Sequence, residues 1–260
     1  MNIGIVILAT NSYFVLGIRF IKKFIHHYKG EHDITFYFFS DTDPKEALPD
    51  CVDVKYNYLR NETWTDGTNL KFKSIISLEK DLKSNYLFYF DADTNVSTPF
   101  TEEWFIGDMV GGQHFGDQNF MKEVKGYDRN PQSQAYVPFD TELPQMYFYG
   151  AFFGGKSDKM IEFCKVLKNY QDIDKLIPYE PGVNDESYIN KEFHYNPPSK
   201  VVANENFMFG ISDKGGIGET RNMNLNVDEL KKELFLNKEK LINIASGKIE
   251  IYDTPICNNI

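Results

Sequence analysis

The chain has 260 residues, of which 42% are hydrophobic and 15% aromatic, with a formal net charge of −10. Such a length and apolar content support a buried core, in one large domain or two packed lobes, and exclude the disordered class. The acidic balance argues against nucleic acid or an anionic membrane surface as a partner, because both repel such a surface, so an anionic substrate needs a local cation or a metal.

Cys51, Cys164 and Cys257 are widely separated and odd in number, which points to neither a disulfide framework nor a Cys-rich zinc site and suits a reducing cytoplasm. The opening "MNIGIVILATNSY" lacks the preceding positive charge and cleavage pattern of a signal peptide. No segment reaches the roughly 20 apolar residues of a membrane span, so a soluble protein is expected.

In chain order, Ile3 to Leu8 reads as a buried strand and Phe14 to Tyr28 as an amphipathic helix ended by Gly30. Ile34 to Phe39 is a second strand. Thr68 is placed to cap a helix carrying Phe72, Ile75, Ile76 and Leu82, which leads to a strand from Tyr86 to Phe90. This alternation predicts an α/β fold whose parallel sheet is covered by helices on both faces, with ligands beyond the carboxyl ends of the strands. Asp108 to Pro144 reads as irregular loops, "MYFYGAFFGG" as a strand, Ser157 to Tyr170 as a helix and Asn184 to Phe193 as a short helix. After Gly210 the pattern weakens to a loop, a charged helix from near Asp228 and a tail.

Asp91 and Asp93 follow the apolar strand directly. Two such carboxylates can share a hard divalent cation that neutralises a diphosphate leaving group, although aspartates are also common in turns. Asp41/Asp43 and Asp172/Asp174 have the same spacing, and Pro44 favours an ordinary turn at the first of these. Gly150 to Ser157 matches the phosphate-binding pattern Gly-x4-Gly-Lys-Ser, yet Phe152 and Phe153 look like core strand residues. Asp185 and Glu186 offer either a nucleophile and charge stabilisation beside a sugar or a solvated helix start. His114 can orient a substrate hydroxyl or simply be hydrogen-bonded at the surface, and Trp64 and Trp104 can stack on sugars or pack. His26 and His27 have no metal-ligand spacing and read as structural.

Taken in order, "FYFDADTNV", "YDRNPQSQAYVP", "FYGAFFGG" and "NDESYINKEF" resemble glycosyltransferase family 6, the family of the blood-group A and B transferases and the α-1,3-galactosyltransferases. The likeness runs from about Ile3 through Pro198, and the block from Pro131 to Tyr136 is its most specific part. It implies a GT-A type α/β fold over residues 1–212, with a Rossmann-like mixed sheet flanked by helices. A flexible C-terminal segment, 213–260, with a helix that closes over the donor, would follow.

The implied reaction is retaining transfer of galactose or N-acetylgalactosamine from a UDP-sugar to the 3-hydroxyl of a β-galactoside, fucosylated acceptors included, forming an α-1,3 linkage. By the same resemblance Asp91 and Asp93 hold Mn²⁺ or another divalent cation, and Leu8, Ala9, Thr10 and Tyr13 hold uridine. Asp185 holds donor-sugar hydroxyls and Glu186 faces the anomeric carbon. Tyr149, Gly150 and Ala151 match the segment that selects the donor, where the alanine methyl leans towards galactose by crowding an N-acetyl arm. His114 matches an acceptor-binding histidine. Lys71 stands where relatives carry Arg, and Val183 and Asn184 replace a Trp and a His on the acceptor side. Lys214 and Arg221 are the candidate basic groups for the diphosphate. Lacking an anchor and stem, the chain reads as a bacterial or viral cytoplasmic version. Two alternatives stand beside this reading: a P-loop phosphotransferase using ATP, Mg²⁺ and Lys156, and a galactoside-binding module without catalysis.

Overall fold

Long apolar runs at the start of the chain become strands, and the amphipathic segment between them becomes a helix. The computed structural model describes residues 1–60, 64–94, 96, 99–105, 107–114, 127–138 and 146–202. Among these are strands β1 (Asn2–Leu8), β2 (Asp33–Ser40), β3 (Val54–Tyr58), β4 (Tyr86–Asp91), β5 (Met109–Gln113), β6 (Phe148–Lys156) and β7 (Lys200–Val202). The α-helices are α1 (Tyr13–His27), α2 (Trp64–Ser77), α3 (Ser157–Asp174) and α4 (Asn184–Tyr195). The sheet order is β3-β2-β1-β4-β6-β5-β7. Strands β1, β2 and β3 pair in parallel, β5 pairs antiparallel with β6, and β5 pairs in parallel with β7. The sheet is therefore mixed and mostly parallel, with flanking helices, as in a GT-A-like fold.

The chain divides into two compact units, and β4 begins in one and ends in the other. The first takes in Met1–Asn61 and Phe90–Trp104. Its core is aromatic: the Phe24 ring lies edge-on to Phe36, Phe90 and Phe100, at 4.9 Å from the last, and Phe20 packs on Phe90 at 5.1 Å. Buried Phe and Ile side chains supply the main driving force here, at about 25 cal/mol per Å² removed from water. Helix α1 does not end through Gly30. Its cap, Tyr28, turns to extended backbone and bridges to Phe100, so a pairing contact stops the helix.

The second unit takes in Glu62–Tyr89 and the described residues from Phe105 onwards. Helix α2 packs on α3 and α4, and Phe153, Phe163, Phe193 and Phe148 form a chain of ring contacts from β6 through both helices. Helix α2 starts before Thr68 and ends before Leu82. The polar run "WTDGT" carries no apolar stripe, which hid the helical start from a periodicity argument. Strand β5 lies within the stretch expected to be irregular, because its "VGG" centre offers no side-chain alternation.

Cys164 is a buried free thiol whose pKa burial raises. No helix among the described residues is long and apolar enough to cross a membrane.

Candidate active site

Strand β6 and the first turn of α4 build a carboxylate centre within the second unit. Asp185 and Glu186 are adjacent at the start of α4, yet their surroundings differ. Asp185 is 5% exposed and forms a buried ion pair, Lys71 Nζ donating to its Oδ2. Lys71, 4% exposed on α2, also donates to the Gly150 carbonyl at 3.0 Å and lies 4.5 Å from the centre of the Tyr89 ring. One cation thus neutralises Asp185 and ties α2 to both α4 and β6.

Both Glu186 oxygens are hydrogen-bonded: Tyr147 Oη donates to Oε1 at 2.7 Å, and the Gly150 N–H donates to Oε2 at 2.6 Å. A Cβ on Gly150 would stand 3.0 Å from Glu186 Cβ and 3.1 Å from its Oε2, so the missing side chain is what lets the carboxylate reach the backbone. Burial pushes the Glu186 carboxyl up to about 7, helped by the charge of Asp185 and opposed by the Gly150 and Tyr147 donors and Lys71. Burial, and then the neighbouring Glu186, also raise the Tyr147 hydroxyl pKa, keeping that group a donor.

The positions expected from the resemblance to select the donor or face the acceptor fall around the same strand. Tyr149 is buried and Ala151 is half-exposed. His114, directly after β5, stacks on Tyr149 with ring centroids 4.4 Å apart, meets Tyr147 edge-on at 5.5 Å, and donates its backbone N–H to the Tyr147 carbonyl at 2.9 Å. Burial lowers its pKa to about 4, so at neutral pH it is an uncharged ring able to donate and accept. Val183 precedes α4 and is partly exposed, and Asn184 has φ +46°, a left-handed conformation that asparagine tolerates well.

The first unit carries the remaining predicted residues. Leu8 closes β1, and the Ala9–Thr10 turn is buried: Ala9 N donates to Phe39 O at 2.8 Å, and Ser40 Oγ donates to Ala9 O at 2.6 Å. Tyr13 opens α1, its N–H donating to Thr10 O at 3.0 Å. Asp91 ends β4, and Thr94 N–H donates to its carbonyl at 3.0 Å, which makes Asp91 and Asp93 two half-buried carboxylates on a closed turn.

The other Asp-x-Asp pairs have structural partners. Asp41 accepts from the Asn11 N–H, Asp43 caps a short 3-10 helix through Lys45 N, and Asp172 pairs with Lys168. Asp174 is buried among three donors, Ser133 Oγ, Gln134 N and Tyr188 Oη. The Asp91/Asp93 donor set fits a hard divalent cation. Among the described residues no cluster of three or more His, Cys, Asp or Glu could hold an ion, so water or substrate oxygens would complete the shell.

The phosphate-loop match is fortuitous. Gly150 to Lys156 is continuous β6 strand, and Phe152 and Phe153 are fully buried. A Cβ on Gly154 would lie 2.3 Å from the Phe88 ring, so that glycine serves close strand packing. Lys156 pairs with Asp108 at 2.7 Å on the surface, and Ser157 Oγ donates to Ser84 O at 2.6 Å. Lys214, Arg221 and the whole of 213–260 lie outside the described residues.

Sequence reasoning missed Tyr147, Tyr89 and Asn190. The two tyrosines read as members of apolar strand runs. Asn190, one helical turn after Glu186, was visible as a polar residue on the same helix face as the catalytic candidate.

A family model, glycosyltransferase family 6, matches residues 1–212. The chain is 28% identical over 211 residues to histo-blood group ABO system transferase 2 of Rattus norvegicus, covering 78% of this chain and 62% of that protein. It is also 28% identical over 215 residues to globoside alpha-1,3-N-acetylgalactosaminyltransferase 1 of Gallus gallus, covering 79% and 61% respectively. To O-antigen biosynthesis glycosyltransferase WbnI of Escherichia coli it is 24% identical over 203 residues, covering 76% and 84%. The chain thus spans about three fifths of the length of the two animal relatives.

Proposed function

The chain belongs to glycosyltransferase family 6, and on that premise we propose that it is a retaining hexosyltransferase, moving galactose or N-acetylgalactosamine from UDP to the 3-hydroxyl of a β-galactoside. The observation that carries this reading is the Glu186 carboxylate, held on a strand backbone beside an already neutralised Asp185.

In the reaction the bond from C1 to the β-phosphate oxygen breaks, UDP leaves with the electron pair, and a C1–O3 bond forms on the same face. The acceptor hydroxyl proton leaves with the diphosphate or to solvent. An ionised carboxylate against C1 serves either a covalent double displacement or an oxocarbenium-like ion pair. Two fixed donors hold the Glu186 oxygens without supplying a counter-charge, which supports that role. Asp185, fixed by Lys71, is the group for sugar hydroxyls, and neutral His114 on Tyr149 is the group for the acceptor.

Asp91 and Asp93 would hold Mn²⁺ or a similar ion, whose chemistry when bound is to neutralise charge on the departing diphosphate. That role suits a chain with net charge −10, which otherwise repels an anionic donor. The Ala151 methyl favours galactose over its bulkier N-acetyl analogue by about 1–3 kcal/mol, the usual reach of one methyl group. Residues 213–260, which lie outside the described residues, are proposed to act on the bound donor. The continuous β6 strand removes the basis for a P-loop enzyme.

The test is UDP release from UDP-galactose and UDP-N-acetylgalactosamine, with and without β-galactosides, fucosylated ones included, in Mn²⁺ and in EDTA. Acceptor-stimulated release is expected, lost in EDTA and reduced by at least about a hundredfold in Glu186→Gln and Asp93→Asn. Folded protein that turns over neither donor with any acceptor would sink the reading.

A further inference from the structure

Two side chains of helix α4 hydrogen-bond to the backbone of strand β6, and of these only Glu186 has a role so far. The other is Asn190, which is completely buried. Its Oδ1 accepts from the Phe148 N–H at 2.7 Å, and its Nδ2 donates to the Phe148 carbonyl at 2.9 Å. The side-chain amide therefore makes on Phe148 the pair of bonds that a neighbouring strand residue would make. The second Nδ2 proton goes back to the Glu186 carbonyl, also at 2.9 Å, which fixes which way the amide faces.

The spacing explains why both side chains fit. Backbone N–H groups two residues apart on a strand point to the same side and lie about 6.7 Å apart. Positions four apart on a helix are separated by about 6 Å along its axis. Asn190 takes the Phe148 N–H and Glu186 takes the Gly150 N–H, so α4 runs antiparallel along β6 and matches it at two successive positions.

Resting on the functional reading above, we propose that Asn190 is a positioning residue for the transfer reaction: its amide sets the register of α4 on β6 and thereby holds the Glu186 carboxylate at the Gly150 N–H. Asparagine suits this task because it offers one acceptor and two donors within one short side chain. Aspartate keeps the acceptor but turns two attractive contacts with carbonyls into repulsive ones. Leucine keeps the volume and removes all three bonds.

The experiment compares the full chain with Asn190→Leu and Asn190→Asp, using Ser157→Ala as a control that removes a hydrogen bond in the same unit away from the carboxylates. Glu186 is titrated by NMR on protein carrying ¹³C-labelled glutamate, its signal identified by its loss in Glu186→Gln. In the Asn190 variants that midpoint is expected to move by about one unit or more. Steady-state kcat should fall about tenfold to a hundredfold, with the donor KM changed less than about threefold. Ser157→Ala should move neither quantity. In the unaltered protein, the Phe148 and Gly150 amides should exchange with solvent at comparably slow rates, a measurement that needs no variant to fold. An unmoved Glu186 midpoint in folded Asn190→Leu, or rapid exchange at Phe148, would overturn the proposal. So would a loss of kcat no greater than that of Ser157→Ala at matched thermal stability. Titration and exchange need no turnover, so a protein that releases no UDP would sink the transferase reading and leave the register claim to be judged on those two measurements.

Discussion

Glu186 and Asp185 are neighbours in sequence with opposite electrostatic fates, and the difference lies in groups that arrive from elsewhere in the chain. For Glu186, burial raises the carboxyl from an ordinary 4.5 to about 7. Below about pH 4.5 the folded and unfolded chains both carry this proton. As pH rises towards 7 the unfolded chain loses it first, so the folded state binds more protons and stability falls across that window, by about 3 kcal/mol in total. Urea unfolding of the protein and of Glu186→Gln at several pH values should show this slope in the former and not in the latter. Turnover moves the other way, because the proposed role needs the ionised form, so kcat should climb through a midpoint near 7. For Asp185 the partner is Lys71, 114 residues away in sequence. Lys71→Met should destabilise by about 3–5 kcal/mol by leaving a buried charge uncompensated, and a second change, Asp185→Asn, should restore part of that in a double-mutant cycle. The adjacent carboxylates, and the separate roles expected of them, were legible in the sequence through the family resemblance. Their different electrostatic settings were not, because these depend on contacts that no local pattern encodes.

Among the elements, the segment "YDRNPQSQAYVP" shows how a conspicuous motif can be structural. Ser133 and Gln134 donate to the buried Asp174 at the end of α3, and Tyr188 of α4 donates to the same carboxylate. Arg129 donates to the carbonyls of Val137 and Pro138, at 2.6 and 2.7 Å, and Asp128 accepts from Asn130 N and Tyr179 Oη. Asp174→Ala strands three donors, so it should cost about 3 kcal/mol and speed amide exchange at Gln134, measurable by urea unfolding and NMR. Strands β1, β2, β4 and β6 were readable because they are continuous apolar runs, and α1 because its stripe repeats at helical spacing. Strand β3 escaped notice because, at one end of the sheet, it keeps Tyr56 and Tyr58 exposed and lacks a clear apolar face.

At the scale of the whole molecule, alternating strands and helices were enough to predict a layered α/β fold, but not the antiparallel pairing of β5 with β6. Strand direction follows from the path of the connection, and residues 115–126 and 139–145 between these strands have no periodic pattern to reveal it. The family match ends at residue 212 of 260. If residues 213–260 act on the donor as proposed, a chain truncated after Ser212 that remains folded should show a raised donor KM and a reduced turnover. UDP release measured on the two proteins checks this, and unchanged donor affinity and turnover would remove support for that role.

The contact between Gly150 and Glu186 also bears on how such a catalyst can diverge. At residue 150 a side chain would crowd Glu186, which would have to give way by a few tenths of an ångström. The next residue, Ala151, is half-exposed and makes no bond to the carboxylate. On the proposed roles, donor preference could therefore be varied one residue away from the chemistry while Glu186 stays anchored to the backbone. Selectivity and catalysis would then be neighbours along the chain, yet free to evolve separately.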